Sequence, residues 1–91
     1  MWMSTVIDSS VALLLDYVAS MNRVDIIRRV RAAAKVHDRA FEIFREGRNH
    51  EIWICGQTKV AIPRHREVSQ FTAEGIFRDL EVELGEGWWR R

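Results

Sequence analysis

The stretch Ala40-Phe41-Glu42-Ile43-Phe44-Arg45-Glu46-Gly47-Arg48-Asn49-His50-Glu51-Ile52-Trp53-Ile54-Cys55-Gly56-Gln57-Thr58-Lys59-Val60-Ala61-Ile62-Pro63 decides the fold. It is rich in β-branched and aromatic residues, and glycines interrupt it at positions 47 and 56. That pattern predicts three short strands, Ala40–Glu46, His50–Cys55 and Lys59–Ile62, joined by tight turns. Pro63 cannot donate to a ladder, so the third strand ends there or runs along an edge.

Turn length sets the expected register. A two-residue turn at Gly47-Arg48 pairs Glu46 with Asn49, Ile43 with Ile52 and Phe41 with Ile54. A three-residue loop over 56–58 sets Ile54 opposite Val60 and Ile52 opposite Ile62. Phe41, Ile43, Ile52, Ile54, Val60 and Ile62 then share one face, as a core requires. In this register Arg45 falls opposite His50. Arg64 approaches the histidine from its other side if the ladder passes Pro63. Trp53 and Phe44 point to the second face. There they can stack bases or meet a protein partner.

Helices flank the strands. Asn22 suits an N-cap and Asp25 a first turn. Val24, Ile27, Val30 and Ala34 form an apolar stripe to about Val36. A last helix is expected from about Thr72 to Leu84 on Ile76, Phe77, Leu80 and Leu84, with Gly85 as its stop. Residues 9–19 can form a further short helix, with Val11, Leu14, Leu15 and Val18 on one face. The tail tryptophans, Trp88 and Trp89, fold back on the core or contact a partner.

With 91 residues, 47% hydrophobic and 30% charged, the chain suits one small α+β domain rather than a disordered segment. No stretch is apolar enough to span a membrane. The first basic residue is Arg23, so residues 1–20 lack the basic start of a signal peptide, and a cytoplasmic location is expected. The single Cys55 fits a reducing compartment. Three histidines and one cysteine show no short ligand spacing, so neither a metal nor another cofactor is expected. No serine lies in a histidine-linked nucleophile motif.

The net charge of +1 hides a basic middle. Residues 21–48 carry eight bases (Arg23, Arg28, Arg29, Arg31, Lys35, Arg39, Arg45, Arg48) against four acids. Such a segment suits a polyanion, RNA included, although a solvated helix face has the same composition. His50 between arginines can move a proton while they hold a phosphate. His65, between Arg64 and Arg66, suits RNA contact. His37, just after a helix, reads as structural.

Three stretches together resemble the HicA family of toxin ribonucleases. They are Arg45-Glu46-Gly47-Arg48-Asn49-His50; Val60-Ala61-Ile62-Pro63-Arg64-His65-Arg66-Glu67; and Thr72 with Ile76, Arg78 and Leu80. The first matches the glycine, small polar residue and histidine of the family's active site. The second matches its strand followed by Ile-Pro-x-His, and the third the opening of its last helix. The resemblance runs from about Met21 to Trp89. Asn49 stands where the family usually has serine. Residues 1–20 precede its usual start, as a true extension or an upstream start.

The resemblance implies a compact double-stranded-RNA-binding-like fold, α-β-β-β-α, over residues 21–91. It implies a metal-independent endoribonuclease that cuts mRNA and is silenced by a HicB-like antitoxin. It makes His50 catalytic and places Arg45, Arg48, Asn49, Lys59, Arg64, His65 and Arg66 at the RNA. Two rivals remain from the residues alone. One is a non-catalytic RNA-binding module that needs the bases but not His50. The other is a protein-interaction domain anchored by Trp53, Trp88 and Trp89.

Overall fold

The computed structural model describes residues 20–90. The expected helix over 9–19 lies outside the described residues. The elements in order are β1 (Ser20–Asn22), α1 (Arg23–Val36), β2 (Phe41–Glu46), β3 (His50–Cys55), β4 (Thr58–Pro63), β5 (Glu67–Ser69), α2 (Gln70–Asp79), α3 (Glu81–Leu84) and a 3-10 turn (Trp88–Arg90). Strands β2, β3 and β4 form an antiparallel sheet with β3 central. Strands β1 and β5 form a second, two-stranded ladder. No described helix is long and apolar enough to cross a membrane.

Helix α1 starts and stops where local chemistry dictates. The Asn22 side chain accepts from the Val24 N–H at 2.9 Å. At the far end Asp38 takes φ 56°, a left-handed conformation that aspartate tolerates. The Asp38 N–H then reaches Lys35 O at 3.2 Å and the Arg39 N–H reaches Ala34 O at 2.7 Å, which closes a Schellman motif.

The face that α1 buries is Ile26, Val30 and Ala34, with Ile27 and Ala33 beside it. Val24, expected in the stripe, is 55% exposed. Arg23 decides this. Its guanidinium reaches Glu51 and Pro63 O on the sheet. Residues 26, 27, 30 and 34 follow Arg23 at helical spacing, which rotates Val24 outward.

The register of the sheet departs from the one expected. Both turns contain two residues, but the first is Arg48-Asn49, with the Gly47 N–H donating to His50 O at 2.8 Å. The second is Gly56-Gln57, and Cys55 pairs with Thr58. Gly56 has φ 61° and Gln57 does not share a positive φ, as in a type II′ turn. Val60 and Ile62 point inward, so this shorter turn brings Trp53 and Cys55 inward with them. Ile52 and Ile54 go to the other face, half-buried. Strand β3 is apolar on both parities, and the turn alone chooses between them.

Trp53, expected on the outer face, therefore belongs to the core. It stacks on Phe41 with ring centroids 4.6 Å apart. The helices cover this inner face, where Ile26, Val30, Phe41, Trp53, Val60, Ile62, Phe77, Leu80 and Leu84 meet. Among the described residues the outer face stays open.

The β1–β5 ladder has no signature in the sequence, because three-residue strands are too short to carry a periodicity. Ser20 pairs with Ser69, and its hydroxyl donates to Glu67 at 2.7 Å. The strands are antiparallel and each runs directly into a helix, so α1 and α2 start from opposite ends of this ladder. Ser69 caps α2 through the Thr72 N–H at 3.1 Å, so the helix starts at Gln70, two residues before the expected Thr72. The last helical segment breaks at Leu80, so α2 and α3 replace one helix. The tail tryptophans fold back. Trp88 meets the Phe77 ring edge-on at 5.1 Å and donates through Nε1 to Phe77 O at 2.9 Å.

Glu83 on α3 closes the β3–β4 turn. Its carboxylate accepts from the Thr58 hydroxyl at 2.9 Å, the Gln57 N–H at 3.2 Å and Arg39 Nε at 3.0 Å. The Thr58 hydroxyl first, then the Gln57 N–H and Arg39, hold this carboxyl below the usual glutamate range. A lowered folded-state pKa stabilises the fold above the unfolded value, near about 4.3. That contribution disappears as pH falls through the folded value. Glu83→Gln is therefore expected to lower Tm at neutral pH. The gap from wild type narrows as the medium is acidified below about pH 4. Thermal melts across pH check this, and a gap that does not change with pH contradicts it.

Candidate functional site

The β2–β3 hairpin builds the site at its tip. Glycine is needed at position 47, because a Cβ there would lie 2.9 Å from the His50 carbonyl oxygen. The close approach aligns His50 across from Gly47 on one side. On the other side His50 pairs with Pro63, and the ladder runs one step further through the Arg64 N–H to Asn49 O at 3.0 Å. The backbone of His50 is thus held from both flanks while its side chain stays exposed.

A surface depression of about 510 Å³ opens beside it, lined by Arg45, Glu46, Gly47, Arg48, Asn49, His50 and Ile52. Arg45 reaches this wall through a β-bulge. Ile43 pairs with Trp53 and Arg45 with Ile52, so Phe44 is the extra residue between them. Without the bulge Arg45 would face Glu51 and the helices. The bulge turns it to the outer face, beside His50.

The expected pair of arginines flanking His50 is not built. Gly47 and Pro63 occupy those positions, because the first turn lies one residue later than Gly47-Arg48 and the second is one residue shorter than the expected loop. Arg64 instead donates through Nη2 to Glu46 Oε1 at 3.0 Å. The structure gathers Arg45, Arg48, Asn49 and His50 and sets Arg64 at their rim. Arg45 and Arg48 have no ion-pair partner among the described residues. Lys59 lies outside the depression on the outer face, its ammonium 4.1 Å from the Phe44 ring centroid. His65 and Arg66 are exposed in the β4–β5 loop and do not line the depression.

Two features were absent from the sequence reading. Glu46 brings a carboxylate to the depression and engages Arg64. Behind His50, Arg23 pairs with Glu51 and donates through Nε to Pro63 O at 2.9 Å, while Trp53 Nε1 donates to the same carboxylate at 3.1 Å. This brace ties α1 to the two strands that carry and face His50. Its partners are 28 residues apart in sequence, so no local pattern announces it.

Cys55 takes no part. It is fully buried on the inner face, and burial first, then the Glu83 charge, pushes its thiol above the usual range. Among the described residues no group of three or more His, Cys, Asp and Glu side chains gathers as metal ligands would. No family model, curated protein or solved structure matches this chain.

Proposed function

We propose that the chain is a HicA-like toxin of a toxin–antitoxin pair, an endoribonuclease that cuts mRNA and so inhibits translation and growth. One observation carries this reading. The exposed His50 lines the same depression as Arg45, Arg48 and Asn49, with both guanidinium groups free of carboxylate partners among the described residues. The order α1-β2-β3-β4-α2, with helices on one face of the sheet, supports a compact double-stranded-RNA-binding-like arrangement.

In the proposed reaction the RNA 2′-hydroxyl oxygen attacks the adjacent phosphorus. The new P–O2′ bond forms as the P–O5′ bond breaks. A proton leaves the 2′-hydroxyl and a proton reaches the departing 5′-oxygen, and His50 moves one of them. Arg45 and Arg48 offset the charge that develops on the phosphoryl oxygens. No step uses a metal ion. Products end in a cyclic phosphate and a 5′-hydroxyl. The toxin acts in the cytoplasm and is neutralised by a HicB-like antitoxin.

Purified protein incubated with mRNA tests the chemistry. Cleavage in the presence of a chelator, with 5′-hydroxyl ends, is expected. Ends bearing a 5′-phosphate, or a requirement for divalent ions, would overturn the mechanism. Co-expression of a HicB-like antitoxin is expected to restore growth.

Glu46 gives a second test. Its pair with Arg64 is exposed on both sides, so it is worth about 0.2–1 kcal/mol. Glu46→Gln removes an anion from the depression and frees Arg64 for phosphate. RNA affinity is expected to rise by up to about fivefold, and the log–log salt slope to steepen by about 0.7. Weaker binding would show that Glu46 serves the RNA rather than opposing it.

One observation favours a second reading, a non-catalytic RNA-binding module. The His50 imidazole has no hydrogen-bond partner among the described residues, so none of them orients it for proton transfer. RNA binding without cleavage would select that reading.

A further inference from the structure

The bulge that turns Arg45 outward also leaves Phe44 on the open face of the sheet. Phe44 is 53% exposed, and its ring lies 4.1 Å from the Lys59 ammonium. Lys59 pairs with Ile54 on the outer side of β4, so ammonium and ring meet across the central strand. Ile52, half-buried, lies between Phe44 and His50, and Ile54, also half-buried, continues this floor past Phe44 beside Lys59. Ile52 and Arg45 also line the His50 depression, which makes the two surfaces continuous.

We infer that Phe44, with Lys59 and the Ile52–Ile54 floor, is a base-stacking subsite for single-stranded RNA whose backbone passes Arg45 and Arg48. The inference rests on the RNA reading proposed above and adds to it the state of the substrate. An aromatic face accepts any unpaired base, and sequential stacking needs a strand whose bases are turned out. A duplex keeps its bases stacked internally and presents phosphates to the same surface. Charge complementarity selects the nucleic acid over an apolar peptide. Arg45, Arg48 and Lys59 surround the platform without carboxylate partners among the described residues. The nearby acids are Glu42, opposite Ile54, and Glu46, already engaged by Arg64.

Position along the sheet agrees with this role. Arg45 pairs with Ile52, two residues along β3 from His50, and Phe44 lies just beyond that pair, so the ring stands about 7 Å or a little more from His50 along the strand. A base stacked on Phe44 therefore belongs to a nucleotide near the one whose phosphate His50 meets, not to that nucleotide itself. The platform would hold the strand in place without touching the reacting atoms.

The test measures binding in the His50→Ala background, so it does not depend on cleavage. The probes are a fluorescent single-stranded oligoribonucleotide of mixed sequence, the same strand carrying abasic positions, and its duplex. Phe44→Ala is expected to weaken single-strand binding by about 5- to 150-fold, the equivalent of one stacked base. Its salt slope should stay unchanged, and Phe44→Trp should bind as tightly as phenylalanine. Lys59→Gln is expected to flatten the slope by about 0.7. Abasic probes should lose affinity to the parent and little further to Phe44→Ala. Unchanged single-strand affinity in Phe44→Ala, beside weakened binding in Arg45→Gln and Arg48→Gln, would overturn this inference alone and leave the face to a protein partner. Equal loss of duplex and single strand would also overturn it. Absence of RNA binding in every variant, wild type included, would remove the RNA reading as well.

Discussion

His50→Ala is expected to lower the rate of RNA cleavage by about 10²- to 10⁴-fold, the usual worth of a proton-transfer side chain. Stability should change by no more than about 0.5 kcal/mol, because the side chain is exposed and makes no contact that burial would reward. Growth after induction and RNA integrity measure the first, and circular dichroism through a thermal melt the second. RNA binding should survive, since Arg45 and Arg48 are untouched. A well-folded His50→Ala protein that still arrests growth would remove His50 from the mechanism. Loss of fold would mean that the hairpin tip depends on the imidazole, which the Gly47, Pro63 and Asn49 backbone contacts argue against.

Trp53→Ala is expected to destabilise the protein by about 3–5 kcal/mol. A chain of this size has about 5–10 kcal/mol in total, so much of the population unfolds on warming. The ring is 6% exposed, stacks on Phe41 and donates to Glu51. Arg31 adds a guanidinium 5.8 Å from its centroid. Truncation therefore leaves a cavity and removes a partner from the carboxylate that Arg23 holds. Chemical denaturation and thermal melts check this. Loss of toxicity in Trp53→Ala would report unfolding rather than a lost partner surface. A stable Trp53→Ala protein that loses a protein partner would restore the interaction-domain reading.

Much of the architecture was legible because it rests on local chemistry. Asn22 as a cap, the end of α1 near Val36, three strands split by glycines and the stop at Gly85 all follow from short-range rules. The resemblance carried by Gly47, His50 and Ile62-Pro63-Arg64-His65 pointed to the hairpin tip, and Arg45, Arg48, Asn49 and His50 line one depression there. Lys59, His65 and Arg66 were grouped with them by charge and motif. Charge and motif say nothing of the face or loop on which a side chain lies.

The sequence by itself determined the three strands of the main sheet, the helix before them and the helical segment after them, because each depends on residues within one or two turns of chain; the β1–β5 ladder and the break at Leu80 it did not. Only the tertiary structure decided which face of β3 is buried. Ile52 and Ile54 compete with Trp53 and Cys55 on the opposite parity, and alternation cannot rank them. A one-residue change in turn length inverts every side chain that follows. Gly56 and the inward Val60 and Ile62 settle the choice for Trp53. The bulge at Phe44 then sets Arg45 beside His50 rather than behind it. The Arg23–Glu51 brace likewise exists only once α1 lies on the sheet, since its partners meet through packing and not through sequence spacing.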